Sequence, residues 1–214
     1  MHTIKNIIFD FGNVLFDLDL PKWEKELSHL YGSQFDLAWK ELRKKNVFEL
    51  YETGGMQTPE FISNLRFVSG MSLDEKAVVA AWNAIFVAMP ARRFDLLLRL
   101  RKQYNVFLLS NINDLHARWI EGYLLREHHI YDFEQRYFDG LYYSHLVRLR
   151  KPSRDIYEYV LADAELAPES TVFFDDVEQN IAAARTCGIQ AFLHPAGKDI
   201  EDHLLELGLL RAGE

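Results

Sequence analysis

Cysteine is almost missing from this chain: Cys187 stands alone among 214 residues, so no internal disulfide can form and a reducing compartment is the expected setting. Its neighbours Ala182, Ala183, Ala184 and Gly188 read as a helix end, where a small buried apolar residue is expected and a catalytic thiol is not. No apolar run is long enough to span a bilayer, and Met1-His2-Thr3-Ile4-Lys5 lacks the charged-then-apolar pattern of an export signal. A cytoplasmic location without membrane contact is therefore expected. Positive charge is also scarce. With 24 Lys and Arg against 32 Asp and Glu, the net charge of −8 repels a phosphate backbone, and the short Arg148-Arg150-Lys151 cluster does not reverse this. Nucleic acid is not an expected partner. An acidic enzyme can still handle phosphate groups where a divalent metal supplies the positive charge. Repeats and low-complexity tracts are absent too, and 49% hydrophobic with 26% charged residues is the balance of an ordinary globular chain with room for one core and a smaller satellite.

Short, almost wholly apolar runs at Ile4–Phe9, Val106–Leu109, Val172–Phe174 and Ala191–Leu193 predict buried parallel strands. Helix-length stretches lie between them at 91–103, 115–125, 153–164 and 178–187, the last closed by Gly188. This alternation predicts a doubly wound, Rossmann-like α/β core from 1–18 and 90–214. From 19 to 89 the pattern becomes helices without strands, at 21–31, 35–50, 59–68 and 73–87, which predicts an inserted helical cap. Asp10, Ser110, Asp175 and Asp176 each follow an apolar run directly, placing them at the carboxyl edge of the sheet, where ligands bind in such folds. A cap inserted just after Asp10 would overhang that edge, as a lid that selects substrate and excludes water does.

Four segments stand in order along the chain: Ile7-Ile8-Phe9-Asp10-Phe11-Gly12-Asn13-Val14-Leu15, Leu108-Leu109-Ser110-Asn111, Arg150-Lys151-Pro152, and Val172-Phe173-Phe174-Asp175-Asp176 followed by Asn180. Together they resemble the ordered motifs of the haloacid-dehalogenase-like hydrolases, with the helical insertion where the first-type cap of that superfamily lies. The resemblance implies a phosphatase in which Asp10 attacks phosphorus and is transiently phosphorylated, a role open to a strand-end carboxylate. A carboxylate approaching a phosphate dianion is repelled, so the resemblance also implies a Mg²⁺ ion held by hard oxygen ligands. Those ligands would be Asp10, Asp176 and the Gly12 carbonyl, with Asp175 and Asn180 holding the metal or its waters. Lys151 would balance charge on the transferring group, and Ser110 with the Asn111 amide would donate hydrogen bonds to it.

One position departs from the pattern. Phosphatases of this superfamily carry a second Asp two residues after the nucleophile as general acid and base, and here that residue is Gly12. Such help is worth roughly 10²–10⁴-fold. Three readings stay open. A sugar 1-phosphate such as glucose 1-phosphate has a comparatively acidic leaving group, and the Asp-x-Gly-Asn-Val form resembles bacterial α-D-glucose-1-phosphate phosphatases. A metal-independent 2-haloacid dehalogenase needs no leaving-group proton, although that group has Asp-x-Tyr-Gly-Thr at the nucleophile. A non-catalytic binding protein on the same fold is the third. Glu52, in the loop Glu52-Thr53-Gly54-Gly55, and Asn13 are candidate substrate contacts, and Asp17 or Asp19 at the hinge is a candidate stand-in for the missing acid. The eight histidines show no metal-binding spacing and read as surface or loop residues. The aromatic stretch 133–143 fits either a dimer contact or an additional strand, which leaves monomer and homodimer both open.

Overall fold

The computed structural model describes residues 3–211. Asn6–Phe9 (β1) has every side chain buried. Such a strand is stable only with partners on both edges and cover on both faces. It pairs in parallel with Asn105–Ser110 (β4) on one edge and Thr171–Asp175 (β6) on the other. Gly140–Tyr143 (β5) adds outside β4 and Gln190–Leu193 (β7) outside β6, giving a parallel five-stranded sheet of order β5-β4-β1-β6-β7. Alternate side chains serve opposite faces, as the pleat requires. Ile7, Phe9, Val106, Leu108, Val172 and Phe174 pack into one cluster with the helices Ala91–Leu100, Asp114–His128 and Ile200–Glu206. Ile8, Phe107, Leu109 and Phe173 pack into another with Arg154–Asp163 and Glu178–Thr186. The core is thus the doubly wound α/β architecture expected from the sequence.

Residues 20–83 fold into five helices, Leu20–Tyr31, Phe35–Lys44, Val47–Glu52, Thr58–Phe67 and Glu75–Asn83. They bury a cluster of their own around Tyr51, Phe61 and Trp82. Two expectations are corrected here. The expected helix at 35–50 breaks because Asn46 takes a left-handed backbone (φ 54°), which asparagine tolerates better than most residues. The stretch from 19 to 89 also contains a strand: Phe86–Ala88 (β3) pairs antiparallel with Asp17–Leu18 (β2), and this two-stranded ribbon joins the helices to the core. Phe86 is held there by Phe16, at 5.5 Å between ring centroids, and by a stacked contact with Trp119 at 4.6 Å. The aromatic stretch 133–143 resolves into a short helix, Phe133–Tyr137, and the edge strand β5.

Candidate active site

Register brings the first three groups together. Phe9 is level with Leu108 and with Phe174, so Asp10, Ser110 and Asp175 emerge side by side at the carboxyl edge of three adjacent strands. Lys151 reaches them from the loop after the helix Ser144–Val147, through a cis Lys151-Pro152 bond. Its ammonium is buried and donates to Asp10 Oδ1 at 2.7 Å, Asp175 Oδ2 at 2.6 Å and the Leu109 carbonyl at 2.9 Å, which uses all three of its protons. Burial alone would lower this ammonium, yet the two carboxylates raise it above its ordinary value, so Lys151 stays charged. Burial pushes the Asp10 carboxyl up to about 7, against the pull of Lys151 and with Asp175 adding to it.

One oxygen from each of Asp10, Asp175 and Asp176 lies within 4.8 Å of the others. Three carboxylates around one ammonium leave excess negative charge in a largely dry site, and an oxygen-only donor set of this kind fits a hard divalent cation. The three are not equivalent. Asp175 accepts from Val177 N at 2.8 Å, from Asn180 Nδ2 at 2.9 and 3.0 Å, and from Lys151. Those four bonds fill its lone pairs. Asp175 therefore anchors Lys151 from behind, held in turn by Asn180, while one of its oxygens stays within reach of an ion shared with Asp10 and Asp176. Asp176 is more open and is oriented by Asn13, whose Nδ2 donates to Asp176 Oδ2 at 2.8 Å.

Asn13 has a left-handed backbone (φ 56°), and its Oδ1 accepts from Leu18 N at 3.3 Å. With a bond at each end of the amide, its side chain orients Asp176 and ties it to β2. Asn111 is similarly committed: its Nδ2 donates to the Lys151 carbonyl and its Oδ1 accepts from Lys151 N, both at 2.8 Å. Its side chain thus fixes the lysine loop, leaving Ser110 and backbone groups to face a ligand.

At Gly12 a Cβ would come within 2.7 Å of Leu18 Cδ1, so the space an acid would need there is filled by an apolar side chain from β2. Both hinge acids have partners elsewhere. Asp17 is paired with Arg93 at 2.7 Å, and Asp19 caps the helix Leu20–Tyr31 by accepting from Lys22 N.

A cavity of about 220 Å³ opens beside Gly12, Ser110 and Asn111 and is roofed by Leu20, Trp23 and Trp82 from the helical segment. Glu52 lines it as expected, but its carboxylate lies 3.2 Å from Arg150 Nη2; burial raises the Glu52 pKa, with Arg150 opposing. Several contacts hold the roof to the core. Ser144 Oγ donates to the Glu52 carbonyl at 2.7 Å, Leu115 N donates to Tyr51 Oη at 2.9 Å, and Thr58 Oγ1 donates to Asp114. Gly54 (φ 68°) lies so close to the His145 carbonyl that a Cβ would be 2.2 Å from it.

Sequence reasoning missed His116 and Asn113. Asn113 caps the helix Asp114–His128 by accepting from His116 N at 3.0 Å. His116 stacks on Trp82 and its Nε2 lies 3.2 Å from the Trp82 carbonyl. Burial lowers its pKa to about 4, only partly offset by that carbonyl, so the ring is neutral. His194 and His203 are buried as well, with Nδ1 atoms 3.2 Å apart. The reading of all histidines as surface or loop residues is corrected for His116 and His203, which sit on helices packed against the core, whereas His194 is a loop residue that is nonetheless buried. An Asn three residues before His116, at the start of a helix, was the available signal for a cap; nothing local showed that the helix would face the cavity.

A parallel sheet carries an acidic, lysine-bearing carboxyl edge under a helical roof, the arrangement of a hydrolase built on a Rossmann-like core. The chain belongs to the haloacid dehalogenase-like hydrolase family, whose model matches residues 4–188. It is 30% identical over 208 residues to a D-ribitol-5-phosphate phosphatase of Bacteroides thetaiotaomicron, covering 94% of this chain and 97% of that relative. A sesquiterpene phosphatase of Aspergillus oryzae is 29% identical over 194 residues, 87% of this chain and 88% of its own length. A family enzyme of Bacteroides thetaiotaomicron solved with magnesium and inorganic phosphate superposes with a TM-score of 0.79 at 31% identity, covering 94% of this chain and 98% of the other.

Proposed function

We propose that this chain is a Mg²⁺-dependent phosphatase that hydrolyses a small phosphorylated metabolite through a phospho-aspartyl intermediate on Asp10. The observation that carries the reading is the cluster of Asp10, Asp175 and Asp176, the first two of them bonded to the Lys151 ammonium. Asp10 Oδ1 is held by Lys151, which keeps the carboxylate aimed and ready to form the new P–O bond. Asp10, Asp176 and the Gly12 carbonyl would hold the ion, with Asp175 and Asn180 supporting; bound there, Mg²⁺ offsets the charge of the phosphoryl oxygens. Ser110 and Lys151 stabilise those oxygens as the alcohol leaves. Water then attacks the acyl phosphate and regenerates Asp10.

A metal-independent dehalogenase has no ion for a cluster of three carboxylates to hold, whereas a phosphatase does. A binding protein without turnover would have no reason to keep Lys151 bonded to the nucleophile. The residues 19–89 act in this reading as the cap that encloses substrate. A cytoplasmic setting accords with the lone cysteine, and among the described residues no helix is long and apolar enough to cross a membrane. As to the alcohol, Gly12 speaks for a good leaving group such as a sugar 1-phosphate, and the two named relatives act on a polyol phosphate and on a terpenoid. Phosphate release measured with Mg²⁺ and with EDTA, for the natural chain and for Asp10→Asn, tests the reaction. Release that needs both Mg²⁺ and Asp10 is expected; release that survives in Asp10→Asn would sink it.

A further inference from the structure

The wall of the cavity beside Asp10 has a chemistry of its own. Phe16, Phe86, Trp23, Leu18, Leu20 and Ile85 give it an apolar lining drawn from core, hinge and helical segment alike. The polar side chains in it are already committed. Asn113 is bonded to His116, His116 to the Trp82 carbonyl, Asn111 to the Lys151 backbone, and Glu52 to Arg150. The exceptions are Ser110, which the reading above assigns to the phosphate, and the indole Nε1–H of Trp82, buried without a partner, which together offer little to a polyol that brings several hydroxyls. Hydroxyls buried here would lose their water and gain almost nothing, whereas an apolar group would be sheltered on most sides. Leu18 adds to this by standing where an acid at position 12 would have offered a polar contact to the leaving oxygen.

We infer that the alcohol released at this site is apolar: the substrate is a phosphate monoester of an aryl or arylalkyl alcohol, the cavity wall deciding against the sugar phosphates that the leaving-group argument from Gly12 alone would favour. The size follows from comparison with dry cavities of about 150 Å³ that accept benzene. At about 220 Å³ the space here holds a ring with a short extension, roughly nine carbons. The inference rests on the phosphatase reading above and concerns only what is attached to the phosphate.

Benzyl phosphate and ribitol 5-phosphate test it, because both are esters of primary alcohols and differ chiefly in the polarity of what is attached. With Mg²⁺ present, kcat/KM for benzyl phosphate is expected to exceed that for ribitol 5-phosphate by about tenfold or more. Leu20, at 51% exposure in the first turn of its helix, tolerates replacement, and Leu20→Asn should lower that ratio about threefold by wetting one wall. Asp10-dependent turnover of ribitol 5-phosphate at an equal or higher kcat/KM would overturn the apolar assignment and leave the phosphatase reading standing. An unchanged ratio in Leu20→Asn would remove this cavity as the place of selection. No Asp10-dependent release from either ester would overturn both readings together.

Discussion

Replacing Asp10 should make this protein more stable. In the metal-free chain, burial opposed by Lys151 and reinforced by Asp175 holds the Asp10 carboxyl at about 7 instead of 3.8. The unfolded chain gives up that proton near pH 4, while the folded chain keeps it to about pH 7. Between those values the folded state binds more protons, so stability falls as pH rises through the window and stays reduced above it. Three pH units at about 1.4 kcal/mol each amount to roughly 4 kcal/mol at pH 8. Asparagine keeps the shape and never ionises, so Asp10→Asn is expected to be more stable by this order at pH 8 in EDTA. The gain should shrink steadily toward pH 5. Urea unfolding followed by the fluorescence of the four tryptophans reads it directly; with a slope of about 2 kcal/mol per molar, the midpoint should move by roughly 2 M. Adding Mg²⁺ should raise the midpoint of the natural chain more than that of Asp10→Asn, which has lost one of the charged groups that would hold the ion. Equal or lower stability of Asp10→Asn at pH 8 in EDTA would refute the claim that Asp10 is ionised against its surroundings.

Other expectations follow from single contacts. Asn13→Ala frees Asp176 and should raise the Mg²⁺ concentration for half activation roughly 10–100-fold while sparing the rate at saturating metal; an unchanged activation curve would dismiss Asn13 as a positioning residue. Gly12→Asp should not restore acid catalysis, because Leu18 Cδ1 lies 2.7 Å from the new Cβ, whereas Gly12→Asp with Leu18→Ala should speed release of unactivated alcohols by roughly 10²-fold in single-turnover assays. Gly54→Ala puts a methyl 2.2 Å from the His145 carbonyl in a left-handed backbone, at a cost of about 1–3 kcal/mol. Its thermal midpoint should fall by several degrees, and its KM should rise as the roof lifts.

The core strands were legible because burial on both faces leaves an unbroken apolar run, as in Ile7-Ile8-Phe9 or Val172-Phe173-Phe174. Asp10, Ser110, Lys151, Asp175 and Asp176 were legible as a set through their order and their place after such runs. β5 was hard to see because an edge strand is only half covered, and Gly140-Leu141-Tyr142-Tyr143 lacks the signature of a buried one. β2 and β3 are too short for any period to register. The division of labour within the site was beyond sequence reasoning for a different reason. Whether Asn13 and Asn111 meet a ligand or another side chain depends on partners 163 and 40 residues away. The contacts that commit His116 arise only when the roof closes on the core.

The ribbon of β2 and β3 invites the cap to be treated as an exchangeable module, with a graft cut between Leu18 and Asp19. Leu18 would then remain with the recipient while Leu20, Trp23 and Trp82 travelled with the donor, and all four border one cavity. The seam of the module runs through the wall of that cavity. A transplant made there joins half of one binding wall to half of another, so retargeting this enzyme calls for moving Leu18 and the Phe86 strand along with the helices.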